Sequence, residues 1–93
     1  MLKAPELRKG RGPLQVLACR NNIPAARLGL IVPKRAIAQA HDRNRIKRVV
    51  RETFRVRADR FETLDLIVRV RGSVSEPGLQ HDLKWLFDWI EEQ

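Results

Sequence analysis

The sequence predicts an α+β domain of two layers, with its elements in the order β-β-α-β-α. Three short apolar segments, at residues 14–20, 28–32 and 63–71, have the length and composition of strands. Two longer segments, at residues 36–59 and 79–90, repeat apolar side chains at helical spacing. A three-stranded sheet covered by two helices would bury both patterns in one core, so we expect a two-layer sandwich.

The N-terminal part is expected to hold a loosely ordered leader and two paired strands. Residues 1–12 are basic and include one proline and two glycines, a composition typical of irregular chain. The first strand, at 14–20, is followed by turn residues at 21–24 (Asn-Asn-Ile-Pro) and by the second strand at 28–32. A close antiparallel hairpin of these two strands is the simplest pairing.

The central helix is predicted over residues 36–59, where no glycine or proline interrupts the chain. Four apolar side chains share one face of this helix through i, i+3 and i+4 steps. They are Ile46, Val49, Val50 and Phe54. We expect this face to pack on the sheet.

The third strand and the last helix complete the predicted core. Apolar residues at 64, 66, 68 and 70 alternate with more polar ones at the ends of the strand. Ser75 is expected to cap the last helix, and Pro77 to lie in its first turn. The apolar side of this helix comprises Leu79, Leu83, Leu86, Phe87, Trp89 and Ile90.

The charge of this 93-residue chain, +8 in total, is distributed unevenly. Residues 1–72 hold 18 basic and 6 acidic side chains, a net charge of +12, whereas residues 73–93 hold 1 basic and 5 acidic ones, a net charge of −4. A cationic body of this kind attracts nucleic acid. No apolar run has membrane-spanning length, and the N-terminus lacks a signal-peptide pattern, so a single cytoplasmic domain is expected.

The lone Cys19 excludes an internal disulfide and fits a reducing compartment. Because it lies in an apolar run, we expect a small buried side chain there rather than a nucleophile. Two scattered histidines and one cysteine do not form a recognisable zinc site.

Residues 43–55 carry the strongest functional signal, with six basic side chains and one acidic one, Glu52. In a helix, four of the basic residues form a column of like charges that repel one another: Arg43, Lys47, Arg51 and Arg55. Such a column can be a solvated surface. However, 8 basic residues against 2 acidic ones over residues 43–60 favour a polyanion ligand. Glu52 is expected to brace Arg48 or Arg55 by its helical spacing.

Other residues that could carry chemistry have simpler structural interpretations. His41 and Asp42 are adjacent, and neighbouring helical residues point about 100° apart, which makes a poor acid–base pair. Trp85 and Trp89 lie one helical turn apart and could stack on unpaired bases, but their apolar neighbours favour core packing. We therefore predict no catalytic residue and no metal ligand in the protein.

The basic segment resembles the signature of the bacterial ribonuclease P protein subunit. The resemblance rests on residues 43–48 (Arg-Asn-Arg-Ile-Lys-Arg) and 51–55 (Arg-Glu-Thr-Phe-Arg). Residues 27–35 (Arg-Leu-Gly-Leu-Ile-Val-Pro-Lys-Arg) are similar to that family's second strand and its basic exit. With the third strand and last helix, the similarity covers roughly residues 13–92.

The resemblance implies an accessory subunit of an endoribonuclease ribonucleoprotein, in which an RNA subunit removes the 5′ leader of precursor tRNA. The magnesium ions would be held mainly by that RNA, and the protein's partners would be the catalytic RNA and precursor tRNA. The fold would be ribosomal-protein-like, with a left-handed βαβ crossover. The positions that carry over as RNA-binding are Lys34, Arg35, Arg43, Asn44, Arg45, Lys47, Arg48, Arg51 and Arg55.

The chain resembles a short variant of this family. The family normally opens with an aromatic-bearing helix that forms one wall of the cleft for the leader, whereas residues 1–12 contain no aromatic residue. The resemblance therefore favours contact with the catalytic RNA over contact with the leader. The alternative is a ribosomal or RNA-chaperone-type structural protein without a role in tRNA processing, which the same basic helix would serve.

Overall fold

A computed structural model describes residues 7–93, which form one four-stranded sheet and two long helices. The strands are β1 (Leu7–Arg11), β2 (Leu14–Arg20), β3 (Arg27–Ile31) and β4 (Leu64–Val70). The helices are α1 (Ala40–Arg55) and α2 (Glu76–Glu91), with a short 3-10 turn at Ala58–Phe61. The α+β class predicted from the sequence is thus confirmed.

The sheet order is β1-β2-β4-β3, so the predicted hairpin of β2 with β3 is wrong. The strand β4 lies between them, antiparallel to β2 and parallel to β3. Its alternate apolar residues are buried, and this central position gives it apolar neighbours on both sides. The unit β3-α1-β4 is a βαβ crossover, and its left-handedness stays a prediction.

The expectation of a loosely ordered leader is wrong for residues 7–11, which form the strand β1. This strand pairs antiparallel with β2, from Leu7 opposite Ala18 to Arg11 opposite Leu14. Backbone pairing depends little on side-chain type, so a basic segment can serve as an edge strand. The rest of the predicted leader, residues 1–6, lies outside the described residues.

Alternation along β2 and β4 places the core on one face of the sheet. Every second residue of these strands is buried, and both helices pack on that face. The buried strand residues are Leu14, Val16, Ala18, Leu66, Val68 and Val70. The other face carries half-buried residues, and Cys19 is one of them, so the expectation that Cys19 is buried is wrong.

The helix α1 is shorter than predicted, because the chain forms one turn before it and another after it. No glycine or proline within the predicted range, residues 36–59, indicates where the helix begins or ends. Before it, Pro33 accepts hydrogen bonds from the amides of Ala36 and Ile37, both 3.0 Å long. After it, the chain turns at Val56 and returns Phe61 to the core, where its ring stacks on Phe54 with centroids 6.0 Å apart.

The helix α2 begins as predicted. The hydroxyl of Ser75 accepts a hydrogen bond from the Gly78 amide at 3.3 Å, and Pro77 lies in the first turn. Its apolar side is buried at Leu79, Leu83, Leu86, Phe87 and Ile90. The prediction that both tryptophans belong to the core is wrong for Trp85, whose exposed fraction is 37%.

Candidate nucleic-acid interface

The helix α1 has an apolar side and a basic side, as its sequence predicts. Ile46, Val50 and Phe54 are buried against the sheet, and Val49 is half-buried beside them. The basic side, named here the basic face, comprises Arg43, Asn44, Arg45, Lys47, Arg48, Arg51 and Arg55. All of these are exposed except Arg43 and Lys47, which are half-buried. The structure therefore brings these predicted site residues together on one helix.

Two arginines of the basic face already have partners within the protein. Arg55 donates from Nε to the Glu52 carboxylate at 3.2 Å, which confirms the expectation that Glu52 braces Arg48 or Arg55. Nη2 of Arg55 donates to the other Glu52 oxygen. The two hydrogen bonds and the Arg55 charge lower the pKa of the Glu52 carboxyl. Arg43 donates from one terminal nitrogen to the carbonyls of Ile37 and Ala38, at 3.0 and 2.9 Å.

The remaining cations of the basic face point outward. In residues 7–93, the side chains of Arg45, Lys47, Arg48 and Arg51 make no hydrogen bond or ion pair with another described residue. Four cationic groups on one helix repel one another when no anion lies between them. Their free donors match the oxygen atoms of phosphate groups, and guanidinium groups can bind these in a bidentate manner.

Lys34 and Arg35 lie in the turn that leads from β3 to α1, and both are exposed. The turn is closed by the two hydrogen bonds to the Pro33 carbonyl, and the buried Ile37 follows it directly. The two predicted basic residues are thus held just before the first turn of α1. The hydrogen bonds from Arg43 join this segment to the helix.

Several other cations are occupied by carboxylates. Arg27 donates from Nε and Nη2 to the two Asp65 oxygens, both at 2.7 Å. Arg57 contacts Asp88 at 2.6 Å and Glu91 at 2.9 Å, so part of the acidic charge of α2 is neutralised by the cationic body. These arginines stabilise the fold and are poor candidates for ligand contacts.

A cluster of cations and aromatic rings on β1 and α2 was not predicted. The Lys9 ammonium lies 5.5 Å from the ring centre of Trp85 and 5.3 Å from that of Trp89, and the Arg11 guanidinium lies 4.6 Å from Trp85. Arg11 also donates to Asp82 at 2.9 Å. In the sequence, the signal for this cluster is the alternation of Lys9 and Arg11, which places both side chains on one face of a strand. The expectation of irregular chain over residues 1–12 leaves this alternation out of account.

Nε2 of His41 lies 3.3 Å from the Asp42 carboxylate at the surface. The structural role expected for these two residues stays a prediction. Within the range 7–93, no three His, Cys, Asp or Glu side chains come together as metal ligands. In the same range, neither of the two long helices, α1 and α2, is long and apolar enough to cross a membrane.

Comparison with known proteins identifies the family of this chain. The family described as Ribonuclease P matches residues 4–91. The chain belongs to the ribonuclease P protein family. Membership makes it a subunit of the ribonuclease P ribonucleoprotein, an assembly that processes tRNA, with an RNA partner in that complex.

Individual relatives agree with this assignment. The chain is 42% identical to the ribonuclease P protein component of Halorhodospira halophila over 92 residues, which cover 99% of this chain and 72% of that protein. It is 41% identical to that of Alcanivorax borkumensis over 87 residues, covering 90% of this chain and 72% of that protein.

A solved structure of the family has the same fold. The ribonuclease P protein of Staphylococcus aureus superposes with a TM-score of 0.80 and 28% identity, over 90% of this chain and 80% of that one. The predicted family and the predicted α+β fold class are thereby confirmed.

Proposed function

We propose that the basic face of α1, together with Lys34 and Arg35, binds the catalytic RNA of ribonuclease P. The observation that carries this proposal is the set of four outward cations, Arg45, Lys47, Arg48 and Arg51, that lack partners among residues 7–93. Phosphate groups would supply the missing counter-charge. Asn44, also exposed, offers both a donor and an acceptor to a 2′-hydroxyl or a base edge.

In this proposal the protein positions RNA strands, and the RNA subunit performs magnesium-dependent cleavage of the precursor tRNA leader. The chemistry of the basic face supports this division of roles. Guanidinium groups stay protonated at physiological pH, so they bind phosphate well but do not transfer protons. Neutralising phosphates where two RNA strands meet reduces their repulsion, which lets substrate and catalytic RNA approach more closely.

The magnesium ions are assigned mainly to the RNA, because the residues of the basic face include no carboxylate, the side-chain group through which proteins usually bind magnesium. Precursor tRNA is proposed as the substrate and second RNA partner. The cytoplasm is proposed as the compartment, consistent with the single cysteine of the chain.

The test is reconstitution with a bacterial ribonuclease P RNA at low magnesium, comparing the wild type with Arg45→Gln, Arg48→Gln and Arg51→Gln combined. The dissociation constant is measured at several salt concentrations. Each lost phosphate contact should reduce the slope of log affinity against log salt by about 0.7–0.9. Stimulation of precursor tRNA cleavage should fall with the affinity.

Lys84→Gln is the matched control, because Lys84 is exposed on α2 and its loss changes the net charge without touching the basic face. It should leave the slope near the wild-type value. A triple variant with wild-type slope and stimulation would refute the proposed surface. RNA binding without any effect on cleavage would indicate instead a structural RNA-binding protein.

A further inference from the structure

Arg43 differs from the other cations of the basic face in its surroundings. Lys47 is half-buried like Arg43, but among the described contacts of this face only Arg43 donates to backbone carbonyls. One terminal nitrogen, Nη1, donates to two backbone carbonyls, Ile37 at 3.0 Å and Ala38 at 2.9 Å. A terminal guanidinium nitrogen carries two hydrogens, so both Nη1 donors are committed to the protein backbone.

The two carbonyls belong to the segment that connects the turn at Lys34 and Arg35 with α1. This segment has few other attachments in the described chain. The amides of Ala36 and Ile37 donate to the Pro33 carbonyl, which closes the turn on itself but does not join it to the helix. The buried side chain of Ile37 anchors one point, and Arg43 fixes the backbone beyond it.

At the N-terminal end of α1, the segment is joined to the helix backbone at Gln39, whose carbonyl accepts a hydrogen bond from the Arg43 amide at 3.1 Å. Gln39, at the N-cap position, makes no side-chain capping hydrogen bond. A guanidinium group near this end is disfavoured by the positive end of the helix dipole. The two carbonyl acceptors offset that cost, since charge-assisted hydrogen bonds are stronger than neutral ones.

We propose that Arg43 is a positioning residue, which holds the Lys34–Arg35 turn against α1 so that both basic segments form one RNA-binding surface. The inference rests on the proposed function and deepens it. Arg43 then contributes to RNA affinity mainly through Lys34 and Arg35. Its remaining donors, Nε and Nη2, stay available for an additional contact.

Arg43→Lys separates this role from a simple phosphate contact. The variant keeps the positive charge but loses the planar fork that reaches two carbonyls from one nitrogen. Arg8→Lys is the matched control, because Arg8 is exposed on β1, at the edge of the sheet opposite β3, and has no side-chain partner within residues 7–93.

The first measurement uses the free protein and needs no RNA. Hydrogen exchange of the Ala36 and Ile37 amides should become at least several-fold faster in Arg43→Lys than in the wild type, because local opening of the turn becomes easier. Arg8→Lys should exchange at the wild-type rate. Equal exchange in the two variants would overturn the positioning role, whatever the RNA measurements show.

The second measurement is the salt dependence of affinity for a ribonuclease P RNA. Arg43→Lys keeps its charge, but Lys34 and Arg35 lose their fixed placement. The slope of log affinity against log salt should therefore fall by the equivalent of about one to two phosphate contacts, at about 0.7–0.9 for each contact. Arg8→Lys should keep the wild-type slope. An unchanged slope in Arg43→Lys would overturn the inference.

A double-mutant comparison provides the third readout. If Arg43 acts through the turn, adding Arg43→Ala to the pair Lys34→Ala and Arg35→Ala should weaken binding little further, so the effects are not additive. Full additivity would contradict the inference. A slope of log affinity against log salt near zero, for the wild type and every variant, would instead refute the proposed function. The hydrogen exchange of the Ala36 and Ile37 amides would still test whether Arg43 holds the turn.

Discussion

Thr63 adopts a backbone conformation that is uncommon for its residue type. Its φ is 67°, in the left-handed region, and its side chain is β-branched and exposed. The carbonyl of Thr63 accepts a hydrogen bond from the Asn21 amide at 2.9 Å, at the junction between the end of β2 and the start of β4. The strained residue therefore marks the entry of the chain into the central strand.

Thr63→Gly should stabilise the protein, because glycine adopts a positive φ without the steric cost of a β-branched side chain. We expect the free energy of unfolding to rise by ~1 kcal/mol, as measured by urea denaturation. Glu62→Gly is the matched control, since Glu62 has φ of −53° and is exposed. The free energy of unfolding of this control should fall by about 0.5–1 kcal/mol. A fall of similar size in Thr63→Gly would contradict the prediction.

At the scale of elements, one carboxylate joins three parts of the chain. Asp65 on β4 accepts hydrogen bonds from Arg27 on β3 and from Asn21 in the turn after β2. Asn21 also donates to the Ala25 carbonyl at 2.9 Å, which shapes that turn. The hydrogen bonds from Arg27, and secondly that from Asn21, lower the pKa of Asp65.

The lowered pKa of Asp65 predicts an acid-sensitive contribution to stability. A carboxyl whose pKa is lower in the folded state stabilises the fold above its unfolded-state value, about 3.9 for aspartate. That contribution is lost as the pH falls through the folded-state pKa. Asp65→Asn should therefore be less stable than the wild type at pH 7, and the difference should shrink as the pH falls below about 4.

Urea denaturation from pH 7 to pH 2.5 would measure this difference. Glu62→Gln is a suitable control, because Glu62 is exposed and makes no ion pair with another residue of the range 7–93. The control removes a carboxylate but no ion pair, so the difference between the two variants reports on the contacts of Asp65. A gap for Asp65→Asn that stays constant, or widens in acid, would rule out the assigned ion pair.

At the scale of the whole molecule, the acidic helix α2 balances part of the cationic body. Arg11 contacts Asp82 near the middle of α2, and Arg57 contacts Asp88 and Glu91 near its C-terminal end. These contacts occupy cations that face α2. The unpartnered cations of α1 are left on another side of the molecule, so the positive potential is concentrated on the basic face.

Arg57→Ala should destabilise the whole domain, because it removes the contacts that join the chain after α1 to the end of α2. Only 13% of the Arg57 side chain is exposed, and hydrogen bonds to charged groups contribute about 1.5–3 kcal/mol. We expect a loss of ~2 kcal/mol in the free energy of unfolding, measured by urea denaturation.

Arg60→Ala is the comparison, since Arg60 contacts the same Glu91 at 3.3 Å but is 61% exposed. Exposed ion pairs contribute about 0–1 kcal/mol, so this variant should lose less. Equal losses in the two variants would show that burial of Arg57 does not strengthen its contacts.

Periodicity and capping were sufficient to predict the helices and three of the strands. The 3.6-residue spacing of Ile46, Val50 and Phe54 specifies which side of α1 is buried, and Ser75 specifies where α2 begins. These features depend on neighbouring residues alone. The basic face could be predicted for the same reason.

Features that depend on distant partners could not be predicted. The strand β1 contains one apolar residue, Leu7, and its conformation follows from pairing with β2. The place of β4 between β2 and β3 depends on the tertiary packing of all three strands. The charge pattern also treats Arg43 and Arg48 alike, because it does not reveal the carbonyls that Arg43 contacts.

The central place of β4 constrains the order in which the protein folds during synthesis. The strands β1 and β2 can pair as soon as both have left the ribosome, because only a short turn separates them. Among the strands of residues 7–93, β3 pairs with β4 alone, and β4 is made after the whole of α1. The nascent chain therefore presents a basic, amphipathic helical segment before the sheet that buries its apolar side is complete.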